Sequence, residues 1–361
     1  MIWSLQVLRF IAALMVVYVH SAQTALAVNG SIGTIPLDLA IMGRAGVDIF
    51  FVLSGVVIAK TAPGMTSAQF AWRRIRRIMP IYLVACVLIL PIAIKVIGFG
   101  WRDALSTFLL WPATDVMTKP LLPVAWTLSF EMLFYFSTAL VLYNRRWLYV
   151  LGGLYCLAFA LRPFSPVFQF LGNPLVVEFL FGVAISRLPM WRGAVFGIPL
   201  GFAALAASGF LHIAPNGESI DFLTGQGNIQ RVFVYGLPSA LIVYGFAQLS
   251  ARESVWTYLG DASYSLYLFH PFSQMPLHAL WLIYPIQSDL IVIIEMFASV
   301  LLAWRVHALI EMPILRAIPA SIRIVGTHSA PYTIERDGNR RPNALSGDRI
   351  GNDRSHHRHR A

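Results

Sequence analysis

Charge is what this sequence has least of. Asp, Glu, Lys and Arg together make up 12% of its 361 residues, against 57% hydrophobic. Soluble domains carry about 25% charged residues, so the composition excludes a soluble globular protein. The expected class is all-α, a polytopic integral membrane protein, and the mean hydropathy of +0.67 agrees. Cysteine is almost absent as well. Cys86 and Cys156 both lie in apolar runs, which argues against a disulfide framework. There is no Gly-x-Ser-x-Gly elbow, Walker loop, Cys/His zinc spacing or dinucleotide fingerprint, and no metal is expected. No internal repeat is visible. Thr24-Ala25-Leu26-Ala27 resembles a signal-peptide cleavage site. However, no positive charge opens the segment and Arg9 interrupts its apolar stretch, so an uncleaved first span is expected.

What is present is apolar length. Runs near 4–27, 43–61, 79–98, 124–142, 147–163, 167–186, 194–213, 231–249, 262–283 and 287–310 read as about ten transmembrane helices. With a cytoplasmic N-terminus the inner loops collect Lys60, the arginines of 73–77, Arg145, Arg146, Arg187, Arg192 and Arg252. The outer side keeps few, among them Arg44, Arg102, Lys119, Arg162 and Arg231. The positive-inside rule then puts both termini in the cytoplasm. The net charge of +10 is interrupted by these spans. It is read as topology and as binding of anionic headgroups or a phosphorylated substrate, and no nucleic-acid partner is expected. Two units are expected: a transmembrane domain over residues 1–316 and a basic, disordered cytoplasmic tail over 317–361 that touches membrane lipids.

Inside the apolar runs sit a few ionisable residues. Such groups are costly at membrane depth and mark function. Arg9 and His20 are eleven residues apart, about three turns plus 20°, so they share one face of the first helix, roughly 16 Å apart along its axis. A neutral imidazole there can take a proton from a hydroxyl, or simply be a hydrogen-bonded core histidine. In the second span Arg44 precedes Asp48 by four residues, and an i,i+4 pair is expected. Gly46, Ser54 and Gly55 permit close helix approach. Arg73, Arg74, Arg76 and Arg77 open the third span. Four arginines in five residues anchor headgroups or grip a phosphorylated co-substrate such as a nucleotide-containing thioester. In WTLSFEMLFY, Glu131 lies about as deep as His20, counted from the span ends, and is expected beside it, orienting the ring. Trp126 begins that stretch. His270 follows Tyr264 and Tyr267 at three-residue steps in SYSLYLFHP. Glu178, Glu295 and Arg305 are weaker candidates, and Glu311 is placed to pair with the arginine cluster.

Taken in order, Arg9-to-His20, GVDIFFVLSG, RRIRRIMPIY, WTLSFEMLFY, SYSLYLFHP and the final Glu-x-Pro resemble the membrane acyltransferase-3 family over about residues 2–316. The length and the WTLSFEMLFY form look most like its exopolysaccharide-production acetyltransferases. No hydrolase-like domain of the kind fused to some members is expected. The resemblance implies an O-acetyltransferase of the bacterial inner membrane, with acetyl-CoA as donor and a polysaccharide or lipid-linked oligosaccharide as acceptor. It implies His20 as base or acyl carrier, with Glu131, Arg9 and Asp48 as catalytic partners. Arg73, Arg74, Arg76 and Arg77 would meet the CoA phosphates, and His270, Tyr267 and Trp126 would line the acceptor side. Met132 stands where many members have a second acidic residue. The competing expectation is a proton-coupled transporter or flippase for a lipid-linked glycan, in which the deep His, Glu and Asp form a relay. Transporters of that kind are commonly built from inverted repeats.

Overall fold

All ten expected spans fall on helical structure, and no strand occurs among the described residues, 3–96 and 98–319 of a computed structural model. The tail from residue 320 onward lies outside that range. The helices of ten residues or more are α1 (Trp3–Asn29), α2 (Gly46–Thr61), α3 (Ser67–Val96), α4 (Trp126–Tyr143) and α5 (Trp147–Ala160). They continue as α6 (Val176–Ile185), α7 (Gly197–Phe210), α8 (Leu237–Gln248), α9 (Ser263–Ile283) and α10 (Ser288–Val306). In hydrocarbon every backbone N–H and C=O must be paired within the protein, which a helix achieves within its own segment.

Eight helical stretches are long and apolar enough to cross a bilayer. The other two expected spans differ for physical reasons. α5 has 14 residues, about 21 Å at 1.5 Å per residue, short of a roughly 30 Å hydrocarbon core. α9 is long enough at 21 residues but holds Ser263, Tyr264, Ser265, Tyr267, His270, Ser273 and Gln274. Its residues Ser263 to Pro271 are all buried. That half of α9 is surrounded by protein and needs no lipid-facing apolar surface.

α1 is the hub. It packs against α2, α9, α10 and the short helix Val255–Asp261, with Leu8, Ala12, Ala13 and Val17 fully buried. α2 and α6 meet glycine to glycine. A Cβ added to Gly55 would lie 2.1 Å from the Phe179 carbonyl oxygen, and one on Gly182 would lie 2.0 Å from that of Val52. Small residues allow such backbone contact where lipid supplies no hydrophobic force between helices.

The span expected over 167–186 is broken. A short helix, Pro166–Leu171, stops at Gly172, and α6 resumes at Val176. The gap is closed by Asn173, which is fully buried. Its Nδ2 donates to the carbonyls of Phe222 (2.9 Å) and Leu223 (3.2 Å), and its Oδ1 accepts from Leu175 N and Asn228 Nδ2. The aromatic loop after α3 is ordered by buried hydroxyls. Tyr82 donates to Thr107 O at 2.8 Å, and Thr107 Oγ1 accepts from Leu121 N at 3.1 Å. At its surface Arg102 binds Asp115 and holds that carboxyl down at about 2.

Candidate functional site

α1, α2, α3, α4 and α9 enclose a cavity of about 90 Å³. Arg9, Arg74, Arg77 and Glu131 supply its charge, with Ser54, Tyr135 and Tyr267 among the polar walls. Three guanidiniums therefore face one carboxylate, an excess of positive charge that suits a polyanion. The Glu131 carboxylate is fixed from two sides. Ser54 Oγ donates to its Oε1 at 3.1 Å, and the Tyr135 hydroxyl, one turn along α4, donates to the same oxygen. Arg74 lies 5.4 Å from the ring centroids of both Phe70 and Tyr135 and donates to Thr61 Oγ1 at 2.8 Å.

Helical phase divides the arginine cluster. Arg74 and Arg77, three apart, share the face that lines the cavity. Arg73 is exposed, its nearest polar partner being Met65 Sδ at 3.7 Å. Arg76 turns to the C-terminal helix Met312–Ala317 and donates to the Leu315 carbonyl; beside it, Trp72 Nε1 donates to Pro319 O at 3.0 Å. Two of the four expected phosphate ligands thus lie outside the cavity, one of them tying α3 to the helix Met312–Ala317.

The expected contact between His20 and Glu131 is absent among the described residues. His20 turns to α9, where its ring stacks on that of His270 with centroids 5.2 Å apart and planes 29° apart. Its Nδ1 lies 3.1 Å from Gln23 Oε1. His20 and His270 do not line the cavity; Tyr267 connects the two sites, lining the cavity while its ring centroid lies 6.3 Å from that of His270. The Tyr267 hydroxyl donates to Val124 O at 2.7 Å and is 2.9 Å from Thr127 Oγ1. Phe50, also a cavity residue, packs edge-on to Tyr267 at 5.9 Å.

The expected Arg44–Asp48 pair does not form either. Asp48 is fully buried and accepts two bonds from Arg231, at 2.9 Å from Nε and 2.7 Å from an Nη. The Arg231 guanidinium sits 4.4 Å from the Phe222 centroid and 5.9 Å from that of Trp126. Arg44 bonds instead to Asn216 Oδ1 at 2.9 Å and Pro215 O. Asp48 and Trp126 are therefore walls of a buried ion-pair site behind the cavity, not cavity residues. Glu178 is also fully buried and faces Asp48 and Arg231. Near the opposite end, Glu311 accepts from Ser265 Oγ at 2.6 Å and pairs with His307 Nδ1 at 2.7 Å, not with the arginine cluster.

Sequence reasoning missed Arg231 and Ser54 as functional neighbours. Arg231 counts as an outer-edge topology charge when read alone. The usable signal was that Asp48, followed by the apolar run Ile49 to Leu53, needs a buried cation from somewhere in the chain.

Residues 2–308 match a protein-family model described as an acyltransferase domain. The "Exopolysaccharide production protein ExoZ" of Rhizobium meliloti (strain 1021) is 30% identical over 297 residues, covering 76% of this chain and 90% of that protein. The "Acyltransferase MdmB" of Streptomyces mycarofaciens is 27% identical over 312 residues, covering 74% of this chain and 77% of that protein. No solved structure gives a significant match.

Proposed function

The chain belongs to this acyltransferase domain family, and from that premise we propose that it moves an acetyl group from acetyl-CoA to a sugar hydroxyl. The multi-pass membrane acyltransferase takes its donor from the cytoplasm and serves an exported or lipid-linked polysaccharide at the other face of the bacterial inner membrane. The reading of the acceptor draws on the name of the R. meliloti relative.

One observation carries the proposal: three guanidiniums, Arg9, Arg74 and Arg77, converge on a single small cavity beside one carboxylate. Phosphate oxygens are the natural partners of such a cluster. A cavity of about 90 Å³ admits only part of a CoA molecule, so its phosphates rest at the arginine end and its thioester points toward Tyr267. Beyond Tyr267 stands His20, which either deprotonates the sugar hydroxyl or carries the acyl group. In both versions the new ester C–O bond replaces the thioester C–S bond, and the hydroxyl proton ends on the thiol. Glu131, fixed by Ser54 and Tyr135, offsets the mutual repulsion of the arginines that share its cavity.

The donor assignment is tested by binding. Arg74→Gln and Arg77→Gln should each raise the KM for acetyl-CoA about 10- to 100-fold, the loss of one charge-assisted contact. Arg73→Gln, outside the cavity, should leave KM within about twofold. Equal effects at all three positions would mean that the cluster acts only as a general headgroup anchor.

A further inference from the structure

α9 contains Pro271 inside its helical run. Proline has no N–H, so the carbonyl four residues before it loses its helical donor. For Pro271 that carbonyl is Tyr267 O. The side chain of the residue just before the proline takes the vacated bond: His270 Nδ1 lies 2.8 Å from Tyr267 O, and 3.2 Å from Leu266 O. A carbonyl oxygen only accepts, so Nδ1 carries the proton and the lone pair of the neutral ring is on Nε2. That Nε2 is buried and has no hydrogen-bond partner among the described residues, in a side chain only 1% exposed. Buried polar atoms are normally satisfied, and an orphan of this kind marks a place that a donor enters.

His20 repeats the pattern. Its Nδ1 faces an acceptor, Gln23 Oε1, which leaves its lone pair on Nε2 as well. The two stacked imidazoles thus present two acceptor nitrogens, and no hydroxyl, amide or ammonium among the described residues donates to His270 Nε2. A single core histidine would need neither the stacking partner nor the proline that frees its carbonyl.

We propose that His270 Nε2 binds the acceptor hydroxyl and takes its proton, and that Pro271 is the positioning residue that sets the required tautomer. The proposal rests on the acyl-transfer reading above; it gives the first proton transfer to His270 and leaves His20 to carry the acyl group or relay the proton. The hydroxyl oxygen forms the new bond to the acyl carbon while its proton passes to His270 Nε2. The pair of the breaking bond leaves on the donor atom, sulfur of the thioester or Nε2 of an acylated His20. His270 then returns the proton to the thiolate, directly or through His20, so both rings end unchanged.

The experiment has two arms. In the first, full-length protein labelled with ¹⁵N-histidine is read by NMR for the tautomer of His270, assigned by its loss in His270→Asn. Wild type should show Nδ1–H, and Pro271→Ala, which restores the competing N–H for Tyr267 O, should shift population toward Nε2–H. An Nε2–H tautomer in wild type, or no change in Pro271→Ala, overturns the proposal whatever the activity. In the second arm, transfer of labelled acetyl from acetyl-CoA to lipid-linked glycan extracted from a deletion strain is measured. Asn keeps a donor near the Nδ1 position but has nothing at Nε2. His270→Asn should therefore lose about 10²-fold or more in kcat, in the range of general-base catalysis, with KM for acetyl-CoA unchanged. A kcat within threefold of wild type would show that His270 only ties the helix. Absence of transfer by wild type itself would instead sink the acyl-transfer reading, leaving the tautomer result to decide the geometry.

Discussion

Arg231 and Asp48 form the most deeply buried ion pair described, with side chains 1% and 0% exposed. Removing one partner of such a pair strands the other, at a cost of about 3–5 kcal/mol. Arg231→Leu should accordingly lower thermal stability in detergent by that amount. Glu178 is different. One guanidinium cannot neutralise two adjacent carboxylates, so Glu178→Gln keeps the shape of the side chain and its ability to donate to Asp48. Its stability should stay within about 1 kcal/mol of wild type; a loss as large as that of Arg231→Leu would mean that Glu178 is an equal partner of the arginine. At this scale the sequence was informative about kind and poor about direction. Helical phase put Arg9 and His20 on one face, and the same arithmetic separates Arg74 and Arg77 from Arg73 and Arg76. Which of those two faces meets the cavity depends on where α3 packs, which no local pattern states. Counting residues from span ends placed Glu131 and His20 at similar depth, but depth is an axial coordinate. The rotation of each helix turned Glu131 to Ser54 and Tyr135, and His20 to His270.

Among the elements, the long apolar runs were legible because hydrocarbon forces them into helices. The break at 172–175 was not, since Gly172-Asn173-Pro174 is flanked by apolar residues on both sides and reads through as one span. Its cause is tertiary: Asn173 has its partners in the short helices Ser219–Thr224 and Asn228–Arg231. Discontinuous helices also occur in transporters, so the broken span by itself does not separate the two functional readings; the family does. Two widened turns, Val232–Gly236 and His307–Glu311, each precede a proline, Pro238 and Pro313. Such turns accommodate a residue that cannot donate to the helix, and the second sets His307 against Glu311. The glycine contact of α2 with α6 was foreseen in part, through Gly55. Gly55→Ala should destabilise the protein by at least about 1–3 kcal/mol, since the added methyl meets backbone that cannot step aside. A stability unchanged in a chemical-denaturation or thermal assay would mean that the two helices are not in contact.

For the molecule as a whole, the two histidines and the arginine cavity are successive stations along the packing surface between α1 and α9, separated by Tyr267 and Phe50. On the proposed reading, donor and acceptor would approach these stations from opposite faces without either crossing. On the proposed reading Arg9, Arg74 and Arg77 lie nearer the cytoplasmic face. The most direct test uses purified full-length protein in proteoliposomes with labelled acetyl-CoA and lipid-linked glycan extracted from a deletion strain. Acetyl transfer through His20 predicts glycan-bound label with wild type and a drop of about 10³-fold or more with His20→Ala, the residue placed at the bond-forming atoms. Glycan labelled at the wild-type rate by His20→Ala, or glycan carried across the membrane with no acetyl-CoA present and no label acquired, would contradict it.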